Sequence, residues 1–239
     1  GVPEGVNSGD FGVGIVIDFF GFSSKATGFP VDFVYPTVTT LVPANIAIVK
    51  DPPHPQAAAA FIEFLLSMEG QELLLHPAIR RLPVNPQTYA KAPKNFPNPF
   101  KDKSIGAAVK FDVVLSKTRY NIVNSLFDVM ITYRREDLAN ASKAIQAAEA
   151  ALSGKSNPEA EALIKEAHSL VAAMPISEAE AVDAKYPGVF TSDVFKKRKK
   201  ASVKVPPRQA EIEEQWDSFC MKNYAEAEAK AKKALKMLQ

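Results

Sequence analysis

The chain has few of the residues that build disulfides and soft-metal sites. Its 239 residues include one cysteine, Cys220, so an internal disulfide and a zinc site made from a cysteine cluster are both excluded. The three histidines show no HxxxH or HxxE spacing, which argues against a histidine-rich metal site. We therefore predict no metal ligand and no cofactor.

Recognisable catalytic motifs are also absent. The sequence has no GxSxG nucleophile elbow, no phosphate-binding P-loop, no GxGxxG turn and no paired-acid motif with a base in register. A pair assembled from distant residues stays open at this level. We predict that the chain is not an enzyme and name no catalytic residue.

Charge and hydropathy exclude further classes of protein. A net charge of +2 gives no reason to expect a nucleic-acid partner, and no apolar run approaches the roughly 20 residues of a membrane span. The basic run "KKRKK" at residues 196–200 has no interleaved aromatic residues, so we interpret it as a solvated linker, with contact to an anionic surface as the less favoured alternative. The content of 46% hydrophobic residues is ordinary for a globular protein.

Residues 12–50 have the composition of β-strands. The runs 13–20, 31–35 and 44–49 are rich in β-branched and aromatic residues and are separated by glycine and proline turns. Continuous apolar runs of this kind suit strands that are buried on both faces of an α/β sheet. We therefore predict three strands in this part of the chain.

Helical patterns dominate the remainder. An apolar face recurs from Ala58 to Leu66, a proline-rich loop follows at 77–103, and helices are predicted at 118–133, 135–152, 157–174 and from Pro206 to about Lys236. We divide the chain into an α/β portion at 1–105 and a mainly helical portion at 106–239. A single early helix cannot cover both faces of the predicted strands, so either the later helices wrap back onto them or partner strands and helices are missing. The second alternative would make this the C-terminal part of a larger α/β protein.

Three stretches together resemble a known family. They are "VNSGDFGVGIVIDFF" (6–20), "PVDFVYPTVTTLVPANIAIVK" (30–50) and "HPQAAAAFIEFLLSMEGQELLLHPAIRRLPVNP" (54–86). Their order resembles the second half of a type II periplasmic substrate-binding protein of an ABC importer, in the branch of the ferric-ion-binding and phosphoglycerate transport regulatory proteins. The resemblance implies a partial two-lobed α/β fold with hinge strands and a ligand cleft between the lobes, followed here by the largely helical half.

Asp18 and Phe19 are the first candidate ligand residues. Asp18 follows an apolar run, and ligands of open α/β sheets bind beyond the carboxyl ends of strands. The structural alternative is an N-cap or turn acid. Ferric-binding relatives carry a tyrosine pair where this chain has Phe19 and Phe20, which lack the oxygen that Fe(III) prefers. We expect one of the two phenylalanines to pack in the core and the other to line the cleft.

The segment "YPTVTT" supplies the other candidates. Tyr35, Thr37, Thr39 and Thr40 place four hydroxyls within six residues, a composition suited to phosphate, carboxylate or sugar oxygens. The structural alternative is that these residues only reflect strand propensity, since tyrosine and threonine favour strands. Relatives often carry an acid and then Gly-Thr here, so the family's own contacts do not transfer unchanged.

Five residues nearby receive structural interpretations. Gly70 is predicted to permit a tight helix junction, with Glu69 and Gln71 as caps. Arg80 and Arg81 precede "LPVNP" and are able to reach an anion bidentately, although a solvated pair of loop charges is the interpretation we favour.

The resemblance implies a periplasmic or other extracytoplasmic solute-binding component. It would capture a small anionic organic solute, phosphorylated or carboxylated, and deliver it to the membrane permease of an ABC importer. One alternative is a ferric-ion-binding protein of the same fold. A second is a regulatory module that docks on a permease or sensor through the helical tail, and exposed apolar faces also leave a homodimer open.

Overall fold

The computed structural model describes most of the chain, namely residues 1–106, 109–183, 186, 188–190 and 205–239. The chain divides into two compact units, unit 1 at residues 1–111 and unit 2 at residues 112–239. The basic run at 196–200, interpreted above as a linker, lies outside the described residues.

Unit 1 is built from short helices joined by long irregular segments. They are α1 (Val2–Asn7), α2 (Asp18–Ala26), α3 (Pro55–Leu66), α4 (Met68–Leu73) and a 3₁₀ turn (Pro86–Lys91). Asn7 of α1 donates to the hydroxyl of Ser24 of α2 over 3.1 Å. This bond and the aromatic side chains described below hold the N-terminal segments together.

The predicted strands are not formed in the described residues of unit 1. The prediction that a strand runs through 13–20 is wrong at its end, because Asp18 to Phe20 form the first turn of α2. Ile15 is 94% exposed and Val34 is 82% exposed, so these apolar segments lack the neighbouring strands that would bury them. The α/β class of the complete fold therefore stays a prediction.

The junction between α3 and α4 depends on a glycine, as the sequence predicts. Ser67 separates the two helices with extended backbone, and its hydroxyl accepts a hydrogen bond from the Gly70 N–H over 3.1 Å. A β-carbon at Gly70 would lie 2.1 Å from the backbone oxygen of Phe64. Only a residue without a side chain fits this close approach of two helix backbones.

Gln71 has a different role from the predicted cap. Its side chain is buried, and its amide donates to the Leu65 oxygen at the end of α3 over 2.8 Å. Its side-chain oxygen accepts from the N–H groups of Val84 and Asn85 at 2.8 and 3.2 Å. Gln71 therefore ties the "LPVNP" segment to the helix junction, and the cap of α4 is Ser67.

Unit 2 confirms the predicted helices. They are α5 (Val113–Phe127), continued by a π-helical turn (Asp128–Thr132), α6 (Arg135–Leu152), α7 (Pro158–Ala172) and α8 (Pro207–Leu238), with a 3₁₀ turn at Glu180–Val182. The predicted N-cap is also confirmed, because the Asn157 side chain accepts from the Ala160 N–H over 3.1 Å. None of the described helices is long and apolar enough to cross a bilayer.

Two cores stabilise unit 2. The first joins α6, α7 and α8 through small side chains that let helix backbones approach closely, among them the fully buried Ala141, Ala148, Ala167, Ala227 and Ala231. The second forms around α5 and the start of α8, where the Trp216 ring stacks on Phe190 with centroids 5.3 Å apart and planes 3° apart.

Arg134 adds an ionic link within unit 2. Its Nε lies 2.6 Å from a carboxylate oxygen of Asp217, and its guanidinium also contacts Asp137. The hydrogen bond to Asp217 is the main cause that raises the pKa of Arg134. Because Arg134 precedes α6 and Asp217 lies on α8, the pair fixes the start of one helix against the other.

Candidate functional site

A group of aromatic side chains forms the centre of unit 1. This aromatic cluster consists of Phe22, Phe33, Tyr35, Tyr89 and Phe96. Edge-to-face contacts join Phe22, Phe33 and Tyr35 at centroid distances of 4.7 to 5.8 Å, and Phe96 lies 6.5 Å from Phe22 and 6.2 Å from Tyr89. Such pairs stabilise beyond the area they bury. The cluster therefore connects α2 with the segments at 31–35 and 86–96.

Gly21 explains how α2 approaches this cluster so closely. A β-carbon at Gly21 would lie 2.4 Å from the ring of Phe33. The glycine thus opens one face of the helix to an aromatic ring. The residues just before it, Asp18 and Phe19, are held beside the cluster as a result.

Asp18 and Tyr35, two of the predicted ligand residues, are in direct contact. The Tyr35 hydroxyl donates to Oδ2 of Asp18 over 2.8 Å, while Oδ1 accepts from the N–H of Phe19 over 2.8 Å. Asp18 is the first residue of α2, where the helix dipole favours a carboxylate. The carboxylate therefore positions Tyr35 at the first turn of α2, although the N-cap of this helix is Ile17 and no side chain caps it.

The tyrosines near Asp18 are held in the neutral form. Burial is the main cause that raises the pKa of Tyr35, and its hydrogen bond to the Asp18 carboxylate raises that pKa further. Burial also raises the pKa of Tyr89 to about 12. Both hydroxyls are therefore hydrogen-bond donors at neutral pH rather than anionic metal ligands.

Phe19 contacts a cation. The guanidinium carbon of Arg81 lies 3.7 Å from the centroid of the Phe19 ring. The neighbouring Phe20 is 44% exposed and its ring lies 4.3 Å from that of Phe19. Neither phenylalanine belongs to the hydrophobic core, so the prediction that one of them packs there is not met in unit 1.

The three threonines are separate from this contact. Thr37 is exposed, whereas Thr39 and Thr40 are half-buried. The Thr40 hydroxyl is buried and has no hydrogen-bond partner among the described residues. No hydrogen bond within the described chain joins Thr37, Thr39 or Thr40 to Asp18, so their role as ligand residues stays a prediction.

Arg80 and Arg81 lie near aromatic side chains. We interpreted them as solvated loop charges, which agrees with the exposure of Arg81, whereas Arg80 is half-buried. The guanidinium carbon of Arg81 lies 3.7 Å from the centroid of the Phe19 ring, and that of Arg80 lies 5.8 Å from the centroid of the Phe96 ring. The sequence signal for these contacts was the position of the two arginines next to "LPVNP", the segment that Gln71 binds. Asp18, Phe19, Tyr35, Arg80 and Arg81 together border the aromatic cluster and form the candidate site.

The candidate site has no arrangement suited to a tightly bound metal. No group of three histidine, cysteine, aspartate or glutamate side chains capable of holding an ion occurs in the described parts of the chain. The site consists of an aromatic wall, two guanidinium groups and the Asp18 carboxylate, which accepts the hydrogen bond of the Tyr35 hydroxyl. The guanidinium groups suit the oxygen-rich anionic group of an organic molecule, and the aromatic wall suits its carbon skeleton.

Comparison with known proteins finds a family similarity in the first half of the chain. Residues 4–108 match the profile of a family described as bacterial extracellular solute-binding protein. Unit 1 is similar to a solute-binding protein. The matched residues contain the whole candidate site, and unit 2 lies entirely beyond them.

Two curated relatives extend the similarity. Both are the phosphoglycerate transport regulatory protein PgtC, one from Salmonella typhimurium strain LT2 and one from Salmonella typhi. Each is 26% identical over 200 residues, which is 83% of this chain and 47% of the relative. The chain thus spans about half the length of the curated relatives it matches, and no solved structure matches it significantly.

The bond between Tyr35 and Asp18 gives a direct test of the site's construction. We expect Tyr35→Phe to lower the free energy of unfolding by about 1 to 2 kcal/mol, since it removes a hydrogen bond to a charged, half-buried acceptor. Urea unfolding followed by far-ultraviolet circular dichroism measures the change. Tyr120→Phe is the control, because Tyr120 is 59% exposed and should unfold like the parent. Equal stability of the two variants would contradict the assigned bond.

Proposed function

We propose that this chain is part of the extracytoplasmic solute-binding component of an ABC importer, and that its solute is a small phosphorylated or carboxylated organic molecule. The observation that carries the proposal is that Asp18 accepts hydrogen bonds from the Tyr35 hydroxyl and the Phe19 N–H, inside the segment that matches solute-binding proteins. The partner would be the membrane permease that receives the solute, and the location would be periplasmic.

An anionic solute is favoured over free Fe(III) for two reasons. The names of the curated relatives refer to phosphoglycerate transport, which brings an anionic organic molecule into consideration here. The side chains at 19 and 20 are phenylalanines and offer a ferric ion no oxygen. Docking through the helical tail stays a prediction, because nothing in the described residues of unit 2 identifies a partner.

Ligand-induced stabilisation tests the proposal. A solute that binds only the folded state at 100 times its dissociation constant stabilises by about 2.7 kcal/mol. The thermal midpoint of the 239-residue chain should therefore rise with at least one of 3-phosphoglycerate, phosphoenolpyruvate, glucose 6-phosphate or citrate. Glycerol is the uncharged control and should leave the midpoint unchanged. Ferric citrate compared with citrate alone tests the iron alternative.

Hydrogen–deuterium exchange locates the binding. With the anion that gives the largest thermal shift, protection should increase in peptides that cover α2 and residues 80–96. Peptides from α6 and α7 should exchange at the unliganded rate. If none of the anions raises the midpoint, or if protection appears only in unit 2, the proposed function is wrong.

A further inference from the structure

The loop after α4 carries two adjacent cations that have no anionic partner in the described part of the chain. Arg80 and Arg81 form no ion pair there, although other basic residues of unit 1 do, as Lys25 with Asp32 and Lys91 with Glu72. Both guanidinium groups instead lie against aromatic rings that border the candidate site. A cation placed on a ring keeps its N–H groups for an acceptor.

Arg80 adopts a backbone conformation that its residue type disfavours. Its φ of +48° lies in the left-handed region, where glycine and asparagine are common and arginine is not. Two hydrogen bonds fix the loop, from the N–H of Arg80 to the His76 oxygen and from the N–H of Arg81 to the Leu74 oxygen, each of 3.0 Å. Conformations of this kind persist where the surroundings enforce them and gather at ligand sites.

The side chain of Arg80 also contains a buried donor that lacks an acceptor. Its Nε is inaccessible to solvent and forms no hydrogen bond with the described residues. A buried N–H without a partner is unfavourable, and a shift of the Arg80 side chain toward a bound anion would relieve it. Backbone strain and an unsatisfied donor thus occur at the same arginine, next to a second arginine that has no carboxylate partner.

We propose that Arg80 and Arg81 are the residues that bind the anionic group of the solute. The planar guanidinium of Arg81, held on Phe19, fits the paired oxygens of a phosphate or carboxylate, and Arg80 adds a second guanidinium whose Nε–H lacks an acceptor among the described residues. The inference rests on the proposed function and names the side chains that would select an anion over a neutral molecule. The resemblance to solute-binding proteins does not assign either residue.

Calorimetric titration with 3-phosphoglycerate and with inorganic phosphate tests this proposal on the 239-residue chain. We expect Arg81→Ala to weaken the binding of 3-phosphoglycerate by about tenfold or more, since a hydrogen-bonded charge pair is lost. Arg81→Lys keeps the charge without the planar fork and should give an intermediate affinity. Binding of 3-phosphoglycerate but not of phosphate would show that the organic part of the solute also contributes.

Arg80→Gly separates a binding role from a structural one. Glycine adopts the φ of residue 80 without strain, so the unfolding midpoint should be equal to or higher than that of the parent. The affinity for 3-phosphoglycerate should nevertheless fall by about tenfold. A purely structural arginine would show the opposite result, with a lower midpoint and an unchanged affinity.

Lys50→Ala is the matched control for the change of net charge. Lys50 is an exposed cation of the same unit that lies outside residues 80–96, and its removal should alter the affinity by less than about twofold. If the parent binds 3-phosphoglycerate and both arginine variants bind it as the control does, the inference is wrong while the proposed function stands. If the parent binds none of the anions tested, the proposed function fails and the inference fails with it.

Discussion

Gly70→Ala is expected to destabilise unit 1 by about 3 kcal/mol, the upper end of the usual range for overpacking. The new methyl group would lie 2.1 Å from the backbone oxygen of Phe64 and 3.0 Å from the α-carbon of Leu65. Both obstacles are backbone atoms, so a change of side-chain rotamer does not relieve the clash. The helix junction must open, and Gln71 on the next position loses its geometry toward Leu65 and Val84.

Gly12→Ala is the matched control for this substitution. A β-carbon at Gly12 would meet nothing within 4 Å, and the backbone there does not have a positive φ. Its free energy of unfolding should stay within about 0.5 kcal/mol of the parent. Urea titration followed by circular dichroism measures both variants. A Gly70→Ala variant as stable as Gly12→Ala would show that α3 and α4 do not meet as closely as the structure has them.

The effect of Gly70→Ala should extend to the candidate site. The junction is linked to "LPVNP" through the two hydrogen bonds that Gln71 accepts from Val84 and Asn85. Arg81 lies just before this segment. A variant that retains helix content but binds 3-phosphoglycerate more weakly would therefore report displacement of the arginine loop rather than a lost contact.

The helices of unit 2 were predictable because their signals are local. Asn157 caps α7 through a bond to a residue three positions later, and Pro158 occupies the first turn. Gly154 ends the preceding helix region with a φ of +75°. Each signal lies within a few residues of the boundary it sets, so the sequence alone contains the necessary information.

Strands depend on partners that lie elsewhere in the chain, so a local sequence pattern predicts them less well than it predicts helices. The run that ends in Asp18 has strand composition, yet Val13 is 87% exposed and Ile15 is 94% exposed because no described strand pairs with them. The helix that begins at Asp18 is supported by contacts to Tyr35 and by the close approach of Gly21 to Phe33. Contacts of that range are not visible in a local pattern.

The candidate site was predictable only in part, because its contacts also join segments that are far apart in the sequence. Asp18 and Tyr35 were named separately from the end of an apolar run and from a hydroxyl-rich segment, and the structure joins them by a hydrogen bond. The contact of Arg81 with Phe19 joins segments that are far apart in the sequence. Charge alone favoured the interpretation of Arg81 as a solvated loop residue, because its contact with the Phe19 ring is not visible in the local sequence.

Trp216→Ala is expected to produce the largest loss of stability in unit 2, about 3 to 5 kcal/mol. The indole is 4% exposed and stacks on Phe190, which is 1% exposed, so truncation removes a buried ring and leaves a cavity beside its partner. Ile122 and Ile212 belong to the same core and lose packing as well. A cavity of this size is not filled by small shifts of the neighbouring side chains.

Trp216→Phe separates ring stacking from volume. It keeps an aromatic ring opposite Phe190 and should recover more than half of the stability that the alanine variant loses. Since Trp216 is the sole tryptophan, unfolding must be followed by circular dichroism rather than by tryptophan fluorescence.

Tyr120→Ala, at a ring that is 59% exposed, should change the free energy of unfolding by less than about 0.5 kcal/mol. If Trp216→Ala unfolds like that control, α8 does not carry the second core. If both Trp216 variants retain the parental affinity for 3-phosphoglycerate, solute binding belongs to unit 1 and the helical half has a separate role.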